Sequence, residues 1–171
     1  MAGTPLSGKT TLAKEILNSA SEATILIEND EIRKQVALEN GDSEPKYTDK
    51  ESTRTFSVSR ELIRIGLSNK CNVIFDATNL NERSRRGTYE AALQKNTAIE
   101  VLIVKANDTA VEERYRTASK EQQAAYNKLG DKQVSKVMKG IQSITVDSGE
   151  PPKEMLKKIG KNLIIPVNKH G

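Results

Sequence analysis

The chain has 171 residues, of which 36% are hydrophobic and 29% are charged, and this composition suits one domain with a sizeable core. Its formal net charge of +4 is a mild bias towards anionic partners that identifies none of them. A single cysteine, Cys71, excludes an internal disulfide, and a single histidine, His170, argues against a His-based metal or catalytic site. No apolar run approaches the ~18 residues of a membrane span and no signal-peptide pattern is present, so we expect a cytoplasmic protein.

The first recognisable pattern in the chain is G-x-x-x-x-G-K-[ST], at residues 3–10. Glycines in this pattern let backbone N–H groups turn towards phosphates, its lysine supplies charge to the β- and γ-phosphates, and its hydroxyl residue ligates Mg²⁺. Apolar residues at helical spacing follow from Leu12 to Leu17, so a helix dipole supports the bound anion. A loop of this composition without a ligand is the alternative. We expect ATP and Mg²⁺ as cofactors, bound by Gly3, Pro5, Ser7, Gly8, Lys9, Thr10 and Thr11.

Only Met1 and Ala2 precede this loop, although a phosphate-binding loop should follow a buried strand. In an open α/β sheet that strand is central, and without it the backbone groups of its neighbours stay unpaired. Either the natural chain starts further upstream, which we favour, or another segment fills the slot.

The rest of the chain alternates predicted strands with predicted helices. Strands are predicted at 23–27, 71–75, 98–105 and 163–167, the last at a sheet edge because Pro166 cannot donate a hydrogen bond to a ladder. Helices are predicted from the capping box at 48–51 to about residue 68, at 82–95, at 108–130, at 134–141 and around 155–159. This order predicts an α/β fold of the P-loop NTPase/kinase-like class, with a parallel sheet covered by helices on both faces and its first strand largely missing. We expect a single domain, 1–171, with a lid region at about 107–130.

Asp30 follows the first predicted strand, at the carboxyl end where open α/β sheets bind their ligands. A kinase needs a carboxylate within hydrogen-bond reach of the acceptor hydroxyl, so we predict that Asp30 is the general base. Capping of the next helix is the alternative role. Arg33, one turn further on, either binds a substrate phosphate or lies in solvent.

Asp76 ends the second predicted strand, where P-loop proteins often carry the carboxylate that orients Mg²⁺, although an aspartate there can also start the next helix. We predict Thr10 and Asp76 as metal ligands. In the lid region, an arginine that reaches the γ-phosphate would stabilise its developing charge, and a solvated charged face is the alternative. We predict Arg114 as a nucleotide contact and Arg116 as the catalytic arginine, with Lys120 nearby.

Three segments carry a resemblance to a known family: NDEIR at 29–33, KYT at 46–48 and DATNLN at 76–81. Together they resemble the kinase domain of bacteriophage-type polynucleotide 5′-kinases and the related small bacterial P-loop kinases. The resemblance implies phosphoryl transfer from ATP to the 5′-hydroxyl of a DNA or RNA end. It implies Asp30 as the base, with Arg33, Asp76, Thr78 and Asn79 on the substrate side. Ala77 stands where the phage enzymes place a functional aspartate.

Three functions therefore remain open at the level of sequence. The first is a polynucleotide 5′-kinase with a nucleic-acid 5′ end as partner, and the second is a kinase of a sugar, nucleoside or antibiotic hydroxyl. The third is a nucleotide-binding module without catalysis. Aromatic residues make up only 4% of the chain and tryptophan is absent, so surfaces for base stacking are scarce.

Overall fold

The computed structural model describes residues 1–167, so His170 lies outside the described residues. No helix in this range is long and apolar enough to cross a membrane. The helices are α1 (Lys9–Ser19), α2 (Asn29–Glu39), α3 (Asp49–Ser68), α4 (Glu82–Leu93), α5 (Asp108–Thr117), α6 (Lys120–Leu129) and α7 (Pro152–Ile159), followed by a 3-10 turn (Gly160–Asn162). The strands are β1 (Thr24–Glu28), β2 (Asn72–Asp76), β3 (Glu100–Lys105) and β4 (Gln142–Asp147).

The strands are parallel and form two pairs, β1 with β2 and β3 with β4. Residues 1–2 join the pairs. The amide of Ala2 donates to the carbonyl of Leu102 at 2.8 Å, and the amide of Val104 donates to the carbonyl of Ala2 at 2.8 Å. On the other side, the Met1 amine donates to the carbonyl of Phe75 at 2.6 Å. The order across the sheet is therefore β1, β2, residues 1–2, β3, β4.

Helices cover both faces of these strands, as the sequence predicts. On one face, α1 and α7 pack Ile16 and Leu156 against Leu102 and the neighbouring strand residues. On the other face, α3 packs Ile63 against Phe75 and its neighbours. Because adjacent strand residues point to opposite faces, β2 contributes side chains to both cores, and its sequence is accordingly apolar without alternation.

The first three strands and the helices between them agree with the predictions to within about two residues. The predicted start of α3 is confirmed: the Thr48 hydroxyl accepts from the amide of Glu51 at 3.2 Å. The helix predicted at 108–130 is two helices, because the chain is extended at Ala118 and Ser119 and a new capping box begins α6.

The amphipathic helix predicted at 134–141 is wrong. The structure has no helix between 132 and 141, and the apolar side chains there pack irregularly against Tyr89 and Val101. A buried guanidinium explains the difference. Arg85 donates to the carbonyls of Ser135 and Lys136 at 2.9 and 2.8 Å, so these carbonyls are not available to helical amides. Strand β4, which directly follows this segment, was not predicted from the sequence either.

The edge strand predicted at 163–167 is also wrong. The edge position next to β3 belongs to β4, and the later segment makes a single antiparallel bridge between Val167 and Ala20. The carbonyl of Pro166 accepts from the amide of Ser21 at 3.0 Å. The segment thus covers the turn after α1 and does not extend the sheet.

Candidate active site

The phosphate-binding loop at residues 3–10 needs both of its glycines, for different reasons. A Cβ atom at Gly3 would lie 2.4 Å from the carbonyl oxygen of Val104 and 2.7 Å from the Ser7 hydroxyl, so no side chain fits. Gly8 precedes the first residue of α1 with φ +88°, a left-handed conformation that side chains disfavour. Pro5 lies in the turn between them. The loop closes over the amino terminus of α1, which is the geometry of an anion site.

Lys9 folds back onto this loop. Its Nζ donates to the carbonyl of Thr4 at 2.8 Å and lies 3.5 Å from the hydroxyl of Ser7, and the residue is only 8% exposed. Burial lowers the pKa of the Lys9 ammonium, while the carboxylates of Asp76 and Asp30 act in the opposite direction. A bound phosphate would supply the nearby negative charge that favours the ammonium form.

The two predicted metal ligands lie together. The Thr10 hydroxyl donates to Oδ2 of Asp76 at 2.5 Å, and Asp76 is buried at the end of β2. The other carboxylate oxygen, Oδ1, is buried and has no hydrogen-bond partner among the described residues. Mg²⁺ prefers oxygen ligands, and a carboxyl group with one such oxygen next to a hydroxyl fits that ion. Thr10 and its neighbour Thr11 are both exposed residues.

Asp30 lies in the first turn of α2 and is not its cap. The helix begins at Asn29 and the capping position is Glu28, so the capping alternative for Asp30 is wrong. The Asp30 side chain keeps solvent access, yet desolvation by the surrounding protein raises its pKa, and Asp76 raises it further. Lys9 opposes this shift. Asp30, Asp76 and Lys9 therefore form one electrostatic cluster, which is suited to moving a proton beside a phosphate.

The Arg33 side chain is buried and already hydrogen-bonded to other side chains, which the sequence did not predict. Its guanidinium donates to Oε1 of Glu51 at 3.0 Å and to the Ser52 hydroxyl at 3.2 Å. It also lies 4.9 Å from the centre of the Tyr47 ring, a cation–π contact. Binding of a substrate phosphate by Arg33 stays a prediction, and it would have to compete with the buried Glu51 carboxylate.

Tyr47 is the exposed member of this group and was not predicted as a site residue. It is 51% exposed and has φ +55°, a conformation that is rare for aromatic residues. The carboxylate of Glu51 accepts from the amides of Lys46 and Tyr47 at 2.8 and 3.3 Å and holds the loop in place. Partial burial raises the pKa of the Tyr47 phenol, and the Asp30 carboxylate adds to this rise while the Arg33 guanidinium opposes it.

Arg114 connects the phosphate-binding loop to the end of β4. Its Nη1 donates to the carbonyl of Leu6 at 3.0 Å and to the Ser148 hydroxyl at 2.9 Å, while Nη2 donates to the carbonyl of Ser148 at 2.6 Å. Ser148 was missed with its strand, although the alternation at 142–146 could have found it. Arg116 lies two residues along α5, about 200° around the helix, and is exposed. The structure does not bring it to the loop, so its catalytic role stays a prediction.

Two further residues that were predicted to bind substrate, Thr78 and Asn79, make hydrogen bonds to the start of the phosphate-binding loop and to Met1. The carbonyl of Thr78 accepts from the amide of Gly3 at 3.0 Å. The amide side chain of Asn79, which is 5% exposed, donates to the carbonyl of Met1 at 3.0 Å. The Asn79 side chain is enclosed and bound to the backbone here, so substrate binding by Asn79 stays a prediction. Arg85 donates to the carbonyl of Asn79 at 2.6 Å and fixes this turn.

The fold and the loop geometry define an α/β protein with the P-loop NTPase, kinase-like fold. The sequence matches the model of the AAA_33 family, described as an AAA domain, over residues 1–142, and the chain belongs to this family. A comparison with curated proteins gave no significant match.

Solved structures share this fold at low sequence identity. An unliganded sugar kinase from Janibacter sp. HTCC2649 has a TM-score of 0.68 and 15% identity, covering 96% of this chain and 92% of its own. The APS kinase CysC from Mycobacterium tuberculosis, in complex with AMPPNP and APS, has a TM-score of 0.64 and 11% identity, with coverages of 92% and 91%. A chain of the Pnkp1/Rnl/Hen1 complex has a TM-score of 0.55 and 22% identity, with coverages of 81% and 44%.

Proposed function

We propose that the protein transfers the γ-phosphoryl group of ATP to an alcohol, with Asp30 as the general base. The position of Asp30 carries this proposal: its carboxylate is exposed, has no capping role, and shares one electrostatic cluster with Lys9 and Asp76. A carboxylate whose pKa is raised beside a phosphate site is suited to accept the proton of an attacking hydroxyl.

The remaining residues of the cluster bind and orient the nucleotide. Lys9 and the loop amides hold the phosphates, and Arg114 holds the loop itself against Ser148. Mg²⁺, held by Thr10 and Asp76, would neutralise charge on the transferring group. Because transfer of a phosphoryl group is mostly positioning and electrostatics, these residues supply most of what the reaction needs.

The first candidate acceptor is the 5′-hydroxyl of a DNA or RNA end. The segments at 29–33 and 76–81 support it through their resemblance to polynucleotide 5′-kinases, as does the likeness to a chain of the Pnkp1/Rnl/Hen1 complex. The exposed Tyr47 ring supports it independently. One face of the ring contacts the guanidinium of Arg33, which lies about one helical turn from Asp30, and the half-exposed ring offers a flat surface on which a terminal base can stack.

The second candidate acceptor is an uncharged small alcohol, and the pairing of the basic side chains favours it. Arg33 is bound to Glu51, Lys34 lies 2.7 Å from Glu31, and Lys46 lies 2.5 Å from Asp42. These pairs leave less positive charge for a polyanionic strand. The sugar kinase and the APS kinase among the solved neighbours are named for small-molecule substrates.

Labelled ATP offered with a panel of acceptors tests both candidates. The panel contains DNA and RNA oligonucleotides with a 5′-hydroxyl, the same oligonucleotides with a 5′-phosphate as matched controls, and sugars and nucleosides. Label on the 5′-hydroxyl ends alone supports the first candidate, and label on a small alcohol supports the second. If no acceptor is labelled although nucleotide binds, the protein is not a kinase and the proposal fails.

Two variants of Tyr47 refine the acceptor side of this experiment. Stacking of a base on an aromatic ring contributes ~1–3 kcal/mol, so Tyr47→Ala should raise the KM for an oligonucleotide by about tenfold or more. Tyr47→Phe keeps the ring and should leave that KM unchanged. Equal KM values for all three proteins would remove Tyr47 from the acceptor site.

A further inference from the structure

Basic residues are concentrated in two segments that lie far apart in the sequence. Residues 82–86 and 128–139 together hold seven of the chain's 27 basic residues and two of its 23 acidic residues. The remainder of the chain therefore holds 20 basic and 21 acidic residues, so these two segments account for the whole positive net charge of the protein. Positive charge that is confined to one region indicates a binding surface for an extended anion.

The fold places the two segments side by side. The amide of Ser135 donates to the carbonyl of Leu80, which lies just ahead of the first segment, at 2.7 Å. The buried guanidinium of Arg85 donates to the carbonyls of Ser135 and Lys136 at 2.9 and 2.8 Å. On the inner side of the second segment, Val137 packs against the core. The backbone of the second segment is thus fixed against the start of α4, although it is not helical.

Four cations on the outer side of this junction have no acidic partner in the part of the chain that the structure describes. All four residues are exposed, and none of their side-chain nitrogens lies within 4 Å of a carboxylate oxygen of residues 1–167. The neighbouring Arg86, by contrast, lies 3.5 Å from Glu82. We call the four residues the basic ridge: Arg83, Lys132, Lys136 and Lys139. Their charges are available to an anion from outside the protein.

The basic ridge begins at the edge of the sheet that carries Asp30 and Asp76. Strands β1 and β2 end in register at this edge, and only residues 77–81 separate Asp76 from the helix that carries Arg83. Lys139 lies just ahead of β4, which runs parallel to β3 and so begins at the opposite edge. An anion that follows the basic ridge therefore has one end near Asp30 and extends away from it.

We propose that the basic ridge binds the phosphates of a single-stranded nucleic acid whose 5′-hydroxyl lies at Asp30. The proposal rests on the proposed function and selects a polynucleotide among its candidate acceptors. A sugar or a nucleoside carries no charge that extends beyond the acceptor site, whereas a strand carries one phosphate for each nucleotide. One row of cations matches one phosphate backbone. Because the basic ridge contains no aromatic residue, its contacts depend on charge, so binding is independent of base sequence and sensitive to salt.

A triple variant, Arg83→Gln with Lys132→Gln and Lys136→Gln, tests the proposal. All three positions are exposed, so the melting temperature should be unchanged. For a 5′-hydroxyl oligonucleotide of about twelve nucleotides, the KM at ~50 mM salt should rise by about tenfold or more. The slope of log KM against log salt concentration should fall by about 2, since each phosphate contact contributes ~0.7 to it. The kcat, the Kd of ATP and the KM of a 5′-hydroxyl dinucleotide, which is too short to follow the basic ridge, should be unchanged.

Lys153→Gln is the matched control, because Lys153 is an exposed lysine on α7, which covers the opposite face of the sheet from α3 and α4. This variant should keep the KM and the salt slope of the unmodified chain. Equal values for the triple variant and the unmodified chain with the longer oligonucleotide would overturn the role of the basic ridge and leave the proposed kinase activity intact. An equal rise in KM for the dinucleotide would place the three residues at the acceptor site itself, which contradicts a ridge that extends away from it.

Equilibrium binding of the same oligonucleotide, carrying a fluorescent label at its 3′ end, separates the basic ridge from catalysis. If no acceptor is phosphorylated, the proposed function fails, and tighter binding by the unmodified chain than by the triple variant would still support the ridge. Polyglutamate of equal charge is the second probe. If the triple variant loses affinity for polyglutamate as much as for the oligonucleotide, the surface is a general anion site and the proposal is wrong.

Discussion

The two ends of β2 and β3 differ in how far their polar groups are satisfied. At the carboxyl ends, Asp76 contacts Thr10 and Lys9 contacts Thr4, and the loop between them is held by Arg114. At the amino ends, a cavity of about 310 Å³ separates the two strands. The comparison teaches that the loop keeps its local geometry through side-chain contacts at the carboxyl ends. Side chains from distant parts of the sequence hold the loop where residues 1–2 alone join it to the sheet.

The largest effect is expected from Gly3→Ala, at the junction between the two ends. Because the new Cβ would lie 2.4 Å from a backbone carbonyl oxygen, the loop must leave β3 and nucleotide binding should be abolished. Equilibrium binding of an ATP analogue measures this. Gly41→Ala is the matched control: Gly41 has φ +81° but no atom near the added Cβ, so only a cost of about 1 kcal/mol in stability is expected. Unchanged affinity in Gly3→Ala would contradict the account of the loop.

The next effect is expected from Asp30→Asn, which tests the chemistry at the carboxyl ends. General-base catalysis typically contributes ~10²–10⁴ in rate, so kcat should fall by at least about a hundredfold. The Kd of the nucleotide and the melting temperature should barely change, because Asp30 neither caps α2 nor holds the phosphates. Asp49→Asn is the control, since Asp49 occupies the first turn of α3 and is exposed. Turnover within a few-fold of the unmodified protein would remove Asp30 as the base.

Arg85→Leu should have a smaller effect, confined to stability. The substitution leaves the buried carbonyl of Asn79 and the part-buried carbonyls of Ser135 and Lys136 without this donor, for a loss of about 2 kcal/mol. Urea unfolding measures the loss. Arg83→Leu, on the exposed surface of the same helix, should stay within about 0.5 kcal/mol. If both variants unfold at the same urea concentration, Arg85 does not hold the turn beneath the loop.

The last effect is a pH dependence that originates at the buried Met1 amine. Burial lowers the pKa of the Met1 amine from 8.0 to about 6; Asp76 opposes this shift, and Lys9 and Arg85 add to it. The folded state therefore loses this proton before the unfolded state does, so stability from this group rises between pH 6 and pH 8 and is lost below pH 6. Acetylation of the amine should remove this part of the rise. Urea unfolding midpoints at pH 6 and pH 8, measured with and without acetylation, test whether the Met1 amine causes this rise in stability.

Local sequence patterns predicted the structure at the carboxyl ends of the strands well. The phosphate-binding loop, the first three strands, and the Thr10–Asp76 pair depend on short motifs and on the rule that parallel strands end at one edge. Long-range pairs were not predictable in the same way. Nothing near Arg33 in the sequence indicates that Glu51, 18 residues away, will bind it in the interior.

The segment at 134–141 shows the same limit more strongly. Its apolar spacing is helical, and only a guanidinium 50 residues earlier decides that its carbonyls bond elsewhere. That error also hid β4 and Ser148, and with them the partner of Arg114. The spacing of apolar residues predicts which side chains become buried. It does not predict which backbone groups will hydrogen-bond to a side chain that is distant in the sequence.

Helix α6 has none of its residues buried, and its capping box between Ser119 and Gln122 satisfies its first amides locally. Helix α6 contacts α5 in two ways. The Gln123 side chain donates a hydrogen bond to the carbonyl of Tyr115, and the Tyr126 ring packs edge-on against the Tyr115 ring. Lifting α6 away therefore exposes no core, and its free energy of opening lies at the low end of the range within the protein. Movement of α6 therefore leaves the core packing intact and has almost no effect on global stability.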